Sequence, residues 1–518
     1  MSALNKFRRS YGGRLFSRGR IIAPILIGGL IQLWAASPIQ NQTNIAGSGA
    51  ADTLYLGVQE AVLLGLQNNS TVTIQRLQPQ VMNTYVREQR AAFDPEVSVA
   101  AEKSISESQR RVGTRVTPLE LHYEDYTTDL AVAENLPTGT AVSVTTGLTG
   151  SVSSLYTDQY TGTIGLTVTQ SLLKGFGPRA NLVNLRKARL DVDISRAELK
   201  GVAESVAADI EKGYWNLYLT AQEIEIQQKS LELADQQLAE SQERVKVGKL
   251  PDLELAAVEA EVAARRGALI DSQSRYEQAR LHLVYLLNPQ TANIWNSVPQ
   301  LLDRPFLPAD TLDAITVHEE IGLKCRPDLQ QARLSLAQGE LDIVRTKNGL
   351  LPQMDVFISL GTTAYSETFR NSTPDITSPY YAASAGLTFS RPVPNRQASA
   401  QLARARFSRD QQILAVNNLE KLVQHDVRSA YTEVRRARQQ IEATRVTREL
   451  QQKKLSAEVE KFRVGKSTNI LVLQTQRDFT ASRLDEASAM VAYLDALVSL
   501  YQAEGSLLER RGVNALTE

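Results

Sequence analysis

The sequence predicts an α+β membrane protein in which a transmembrane β-barrel continues into long, antiparallel coiled-coil helices. Three observations predict this class. The two halves of the chain match each other, which indicates an internal duplication. Two very long helical stretches carry apolar residues at seven-residue spacing, and short stretches between the helices alternate apolar with polar residues.

The duplication is visible as a gapless match at a constant separation of 217 residues. It pairs Tyr214 with Tyr431 and Leu283 with Leu500, and it aligns the Val-Gly-Lys triplets at 247–249 and 464–466. The starts of the halves match at a separation of 257, with Pro95 opposite Pro352. The difference predicts about 40 extra residues in the first half, after Pro95.

Both halves have the same predicted order of a helix, a β-rich stretch, a very long helix and a further helix. The helices are expected over about 57–92, 179–247 and 252–287, and over about 316–349, 396–464 and 469–508. We therefore divide the chain into a signal peptide (1–37), a first repeat (38–287), a linker rich in proline (288–314), a second repeat (315–510) and a tail (511–518).

The long helices are expected to form coiled coils. In the first, apolar residues recur every seven positions: Ala203, Ile210, Leu217, Ile224, Leu231, Leu238 and Val245. A strict seven-residue repeat is typical of a left-handed seam. At about 69 residues each, these helices would be ~100 Å long, and the two shorter helices of each half add up to nearly the same length. Two short helices are therefore expected to lie end to end beside one long helix.

The β-rich stretches favour a membrane protein over a plain coiled-coil spacer. Apolar residues alternate with Gly, Thr and Ser over 163–169 and 384–390, as in transmembrane barrel strands. Tyr156, Tyr160, Tyr380 and Tyr381 stand at the expected strand ends. A soluble hairpin is the alternative. Two strands per half make four, too few to close a barrel, and open edges are not tolerated in lipid, so copies must associate.

The amino end predicts export. A basic stretch to Arg20 precedes an apolar run from Ile21 to Trp34 and then small residues, the pattern of a secretory signal peptide. The run is short for a membrane anchor helix, the alternative. Cys325 is the only cysteine, so no intrachain disulfide can form. The chain has no net charge and no basic cluster interleaved with aromatics, so nucleic acid is not an expected partner.

Several motifs occur in the same order in both halves. The strand running from Gly162 to Gln170 leads through Gly175-Phe-Gly177 into a long helix, and Gly386 to Pro392 does so in the second half. Arg326-Pro-Asp-Leu329 and the two Val-Gly-Lys turns complete the set. Together these motifs resemble the TolC-like outer membrane efflux family, the outer membrane factors, over nearly the whole mature chain.

The resemblance implies a homotrimer with twelve strands in the outer membrane and twelve packed helices in the periplasm. Such a channel is a passive conduit of a tripartite efflux or type I secretion system. It takes substrates from an inner-membrane transporter through a periplasmic adaptor protein, and it is surrounded by outer-membrane lipid.

The resemblance also assigns site residues. The helix–turn–helix tips imply adaptor docking by Arg244, Val247, Gly248, Lys249, Arg463, Val464, Gly465 and Lys466. Family members carry two aspartates past the second tip that narrow the pore. This chain has Leu471 and Gln474 there, with Asp478 one turn further on, so these residues are the possible periplasmic aperture without the family's charge ring.

No catalytic constellation is expected, so the chain is predicted not to be an enzyme and to need no cofactor or metal. The four histidines are scattered without metal-ligand spacing. The segment His122-Tyr-Glu-Asp125 is interpreted as a solvated loop rather than an acid–base site. A periplasmic coiled-coil adaptor or structural protein remains the alternative to a channel, because it would share the long helices.

Overall fold

The structure, a computed structural model, describes residues 53–110, 119–154, 157–248, 251–291, 293–307, 312–368 and 380–513. The signal peptide predicted over residues 1–37, Tyr156 and Lys249 lie outside the described residues. No helix in this part of the chain is both long and apolar enough to traverse a bilayer.

Most described residues are helical, and the long helices have nearly the predicted bounds. The helices are α1 (Val58–Asn68), α2 (Ser70–Ala91), α3 (Pro178–Asn181), α4 (Val183–Lys246), α5 (Asp252–Leu287), α6 (Ile315–Cys325), α7 (Pro327–Gly349), α8 (Arg396–Arg463), α9 (Asn469–Glu504) and α10 (Leu507–Arg510). With 64 and 68 residues, α4 and α8 are each about 100 Å long.

The single helices predicted over 57–92 and 316–349 are each broken into two. Asn69 separates α1 from α2, because its side chain accepts a hydrogen bond from Thr71 N at 2.9 Å and caps the second helix. Arg326 separates α6 from α7, and Pro327 is the first residue of α7. A residue before proline is biased away from helical backbone, and Arg326 has extended angles accordingly.

Each long helix packs against two shorter helices, as the summed lengths predict. Helix α4 contacts α2 on its sheet-proximal part and α5 on the rest, while α8 contacts α7 and α9 in the same way. The halves join where α4 packs against α7 and α9. Both long helices run from the sheet to the tips, and the shorter helices of each half lie beside its long helix.

The main sheet has six antiparallel strands, in the order β2-β3-β4-β5-β7-β8, and not the four predicted. The strands are β2 (Glu96–Arg110), β3 (Leu119–Asn135), β4 (Thr140–Ser153), β5 (Gln159–Ser171), β7 (Gln353–Ser366) and β8 (Tyr381–Ser390). The extra pair, β3 and β4, accounts for the additional residues of the first half. The segment His122–Asp125 lies within β3, so its interpretation as a loop was wrong.

The largest hydrophobic core lies midway along α4. Ile210, Tyr214 and Leu217 are almost fully buried there, against the ends of α5 and α9 and against α1. The Tyr214 hydroxyl donates to Leu56 O at 3.1 Å and accepts from Asp303 N at 3.0 Å. It thereby ties β1 (Thr53–Leu56) to the chain after β6 (Val298–Leu301). These two strands pair in parallel, so the predicted linker contains ordered structure.

The seven-residue seam of α4 is only partly as predicted. Ala203, Ile210 and Leu217 are buried, but the later members of the series, from Ile224 to Val245, are half-buried. Near the tip, a different set at the same spacing is buried instead: Thr220, Gln227, Ala234 and Ser241. Small and polar residues are therefore buried along this part of α4, and one of them, Ser241, accepts a hydrogen bond from Asn469 of the second half.

Candidate functional site

The candidate site is the end of the helices farthest from the sheet, where both Val-Gly-Lys turns lie. Helix α4 ends at Lys246 and α5 begins at Asp252, and α8 ends at Arg463 and α9 begins at Asn469. Gly248 and Gly465 have φ angles of +69° and +76°, in the left-handed region that glycine favours. The amides of Gly248 and Gly465 donate to Val245 O and Phe462 O, so both helices end in the same way.

Each turn presents an apolar side chain to solvent. Val247 and Val464 are 64% and 67% exposed. A Cβ added to Gly248 or Gly465 would meet no atom within 4 Å, so the space around both turns is open. A single exposed valine is normal on a solvated surface. The feature of these two is that they occupy the same position in both turns.

Basic side chains surround the turns but do not all point outward. Arg463 is exposed and pairs with Glu460 at 2.9 Å, and Lys466 is exposed. Arg244 instead connects the two tips: its Nη1 donates to Phe462 O at 3.3 Å, and its guanidinium carbon lies 4.2 Å from the centroid of the Phe462 ring. Such a cation–π contact holds the end of α4 against the end of α8.

The possible aperture residues share one face of α9. Leu471, Gln474 and Asp478 are spaced by three and four positions, and the first two are exposed. Asp478 is paired with Lys454 of α8 at 3.0 Å. The only carboxylate of this set is therefore neutralised within its own helix pair.

A buried polar cluster joins α4 to α9 just above the tips, and the sequence analysis missed it. Gln237 Nε2 donates to Asn469 Oδ1 at 2.8 Å, and Asn469 Nδ2 donates to Ser241 Oγ at 3.1 Å. Further along, Ser230 and Thr480 hydroxyls lie 3.1 Å apart. The available signal was the recurrence of polar residues on α4, with Gln237 seven positions after Ser230 and Ser241 four positions after Gln237.

An ion-pair cluster joins α5 to α9 in the same region. Glu261 is buried, and its carboxylate accepts from Arg265 Nε at 2.8 Å and from Arg477 Nε at 2.9 Å. Burial by itself would raise the pKa of Glu261, but the hydrogen bond from Arg477 and the charge of Arg265 outweigh it and lower the pKa below its ordinary value. The second-half helix pair is thus held to both helices of the first.

Comparison with known proteins shows to which family the chain belongs. A family model described as "Outer membrane efflux protein" matches residues 64–289 and 322–506, well over half of the chain. The chain belongs to the outer membrane efflux protein family. Its membership confirms the predicted outer-membrane location and efflux role, and it favours the channel over the adaptor.

Individual members of the family are distant relatives. The pyoverdine export outer membrane protein OpmQ of Pseudomonas putida is 26% identical over 338 residues, which is 62% of this chain and 67% of that protein. The outer membrane efflux protein BepC of Brucella suis is 23% identical over 358 residues, 67% of this chain and 73% of the other. The solved structure of the outer-membrane channel OprN is similar, with a TM-score of 0.66 at 17% identity. The matched part is 87% of this chain and 90% of the OprN chain.

Among the described residues, no three His, Cys, Asp or Glu side chains are grouped so that they could hold a metal ion. Hydrogen bonds and ion pairs between helices account for the polar clusters at the tips. These contacts link the two helix pairs to each other.

Proposed function

We propose that three copies of this chain form a passive duct through the outer membrane, fed by an inner-membrane transporter through a periplasmic adaptor. The observation that supports this most is the sheet: one of its faces carries exposed apolar side chains such as Val99, Leu166 and Leu360, and the other carries Thr, Ser and Gly. An apolar outer face and a polar inner face are what a transmembrane barrel needs.

The barrel in this proposal is shared between copies. The sheet ends at β2 and β8, and a spanning sheet must have every backbone group paired because lipid offers no hydrogen bonds. Neighbouring copies supply the missing partners. The helices then lie in the periplasm, since they extend from one end of the sheet only.

The tips are the proposed adaptor-docking surface, and the adaptor is the partner that links the duct to its transporter. Val247 and Val464 offer exposed apolar contacts on turns of similar geometry, and Lys466 adds an exposed positive charge beside Val464. Similar turns in both halves suit an adaptor that contacts each helix pair in the same manner. Arg244 contributes by holding the tips together.

The aperture of the duct is proposed to lie at Leu471 and Gln474, with no fixed ring of carboxylates. Opening would separate α8 and α9 from α4 and α5, which breaks the contacts of Asn469 with Gln237 and of Arg477 with Glu261. No energy-releasing chemistry by this chain is part of the proposal. The transported substrate and the choice between efflux and type I secretion would be set by the transporter.

We also propose that the two halves arose by duplication. The order helix, helix, strands, long helix, helix occurs in each, and the residues matched by the family model fall into one segment per half. The insertion of β3 and β4 is then a later addition to the first half only.

Site-specific photo-crosslinking in the native membrane tests the docking proposal. A photoreactive amino acid at position 247 or 464 should capture a periplasmic adaptor that mass spectrometry identifies, with a transporter co-purifying. The same group at Trp295, which is exposed but distant in the fold from the tips, is the control and should capture none. Capture at Trp295 but at neither tip would contradict the proposed docking surface.

A further inference from the structure

The hairpin of β3 and β4 lies in the middle of the sheet and is fully integrated in it. Strand β3 pairs with β2 from Glu96↔Ala133 to Arg110↔Leu119, and β4 pairs with β5 from Thr140↔Gln170 to Ser151↔Gln159. In the second half, β7 pairs directly with β8. The hairpin therefore separates two strands, β2 and β5, whose counterparts are neighbours.

The hairpin has the same two faces as the rest of the sheet. One row of directly opposed residues crosses all six strands and is entirely apolar: Val97, Val132, Val144, Leu166, Leu360 and Ala383. The adjacent row, on the other face, has only small or polar members: Ser98, Ala131, Thr145, Gly165, Gly361 and Ala382. Directly opposed residues point to the same side of a sheet, so the faces are continuous.

The exposed fractions of the apolar side chains indicate that the hairpin and the neighbouring strands have the same environment. Val132 and Val144 are 37% and 43% exposed, close to the 39% of Leu166 on β5. Moving the remaining exposed apolar surface of each side chain from water into hydrocarbon is favourable. If lipid covers Leu166, as the proposed function requires, it covers Val132 and Val144 as well.

The inner end of the hairpin is fixed to the junction between sheet and helices. The Asn181 amide donates to Pro137 O at 3.0 Å, Gly177 N donates to Thr138 O at 3.0 Å, and Ser171 N donates to Gly139 O at 3.0 Å. These bonds join the hairpin turn to the segment that leads from β5 into α4. The hairpin is thus part of the wall of the sheet and not an appendage to it.

The number of strands also suits closure between copies. Because six strands alternate in direction, β2 and β8 run in opposite directions at the two ends of the sheet. Strand β8 of one copy can therefore pair antiparallel with β2 of the next. Six strands are too few for a barrel of one chain, since the smallest have about eight.

We propose that each copy contributes six strands and that a trimer forms a barrel of eighteen, with β8 of one copy beside β2 of the next. The trimer rests on the proposed function, and the strand number is the new element. At a strand spacing of about 4.8 Å and a tilt of about 40°, the backbone diameter is roughly 36 Å, against roughly 24 Å for twelve strands. The inserted hairpin therefore widens the outer mouth of the duct.

Thiol labelling tests whether the hairpin spans the membrane. In a Cys325→Ser background, matched pairs of single cysteines would be treated with a membrane-impermeant charged maleimide in intact outer membranes. The pairs are Asp129→Cys with Leu130→Cys on β3, Thr145→Cys with Val144→Cys on β4, and Thr167→Cys with Leu166→Cys on β5. The first of each pair faces the lumen and should be labelled, and the second faces lipid and should not.

The pair of cysteine variants on β5 distinguishes a failure of the eighteen-stranded barrel from a failure of the proposed function. If β5 alternates but the β3 and β4 pairs do not, the hairpin lies outside the wall and the eighteen-stranded barrel is wrong while the channel stands. If β5 does not alternate either, the proposed function itself fails. Electron cryomicroscopy of the trimer in lipid discs gives the second measurement: eighteen strands at the bilayer midplane are expected, and twelve would overturn the inference.

Discussion

The side-chain amide of Gln237 donates a hydrogen bond to Asn469 Oδ1 at 2.8 Å, and both residues are buried. This contact joins the first long helix to the helix that follows the second tip. It places a polar network where a coiled coil normally has apolar packing. These hydrogen bonds between buried groups stabilise the packing of the two helix pairs against each other.

We expect Asn469→Ala to loosen the tips. The change leaves the Gln237 amide and the Ser241 hydroxyl without their shared partner, at a cost of about 1–3 kcal/mol. Cleavage by trypsin at the basic residues of the tips should become about tenfold faster, because proteolysis follows the population of the open form. Ser488→Ala, at an exposed position of the same helix away from the proposed aperture, is the control and should change little. Equal cleavage of both variants would contradict the role of the network.

A lipid-facing charge should be far more harmful than the same charge on the neighbouring residue. Leu166→Arg places a guanidinium on the apolar face of β5, at a cost of about 2–4 kcal/mol near the bilayer midplane. Thr167→Arg places it on the polar face. The yield of assembled protein in the outer-membrane fraction should fall strongly for the first and weakly for the second. Similar yields for both would show that the two faces do not differ in environment.

Gly139→Ala should disrupt the junction between sheet and helices. Gly139 has φ +86°, and an added Cβ would lie 2.2 Å from Gly175 O, so the hairpin turn must move away from it. Gly139→Asn should fail as well, although asparagine tolerates this φ, because the contact and not the angle is decisive. Gly349→Ala, where a Cβ meets nothing within 4 Å, should assemble normally. Assembly yield in the outer membrane is the measurement, and normal yields for both Gly139 variants would contradict the account.

Stability should rise at neutral pH when Glu204 is neutralised. Burial raises the pKa of Glu204 to about 7, against the charge of Lys200, which lowers it. A carboxyl whose pKa is raised in the folded state does not lower the free energy of unfolding below its unfolded pKa of about 4.3. As the pH rises from there toward 7, the charged carboxylate lowers the free energy of unfolding increasingly. Above pH 7 the loss is constant. The melting temperature of Glu204→Gln should therefore match that of the parent near pH 4 and exceed it increasingly up to pH 7–8.

The exposed Asp209→Asn provides the control for this pH series and should show no such divergence. A Glu204→Gln difference that is constant across the series would mean that the carboxyl is not buried in the folded protein. A difference that shrinks toward pH 8 would reverse the sign of the argument.

The helices were predictable because local signals delimit them. Gly248 and Gly465 mark the ends of α4 and α8, and Pro352 marks the change from helix to strand. The breaks at Asn69 and Arg326 also had local signals, an N-cap residue and a following proline, but the apolar pattern continued across them and concealed them. The outer ends of the helices were therefore predicted to within a few residues, whereas the internal breaks were not predicted.

The extra strands and the polar network were harder to predict for physical reasons. On β3, Glu124, Asp125 and Asp129 interrupt the alternation of apolar residues, so the segment resembles a solvated loop until β2 and β4 pair with it. Gln237 and Asn469 are 232 positions apart, and only the packing of α4 against α9 brings them together. Contacts of this kind depend on tertiary structure and leave little trace in a single sequence.

The central claim is that the apolar face of the six-stranded sheet lies in the outer-membrane lipid of an oligomer. The most direct test is to wash isolated outer membranes with alkaline carbonate, extract them with a mild detergent and measure the protein mass of the extracted complex by light scattering. We predict that the chain stays in the membrane during the wash and that the detergent complex contains three copies. Release into the wash as a monomer would contradict the account.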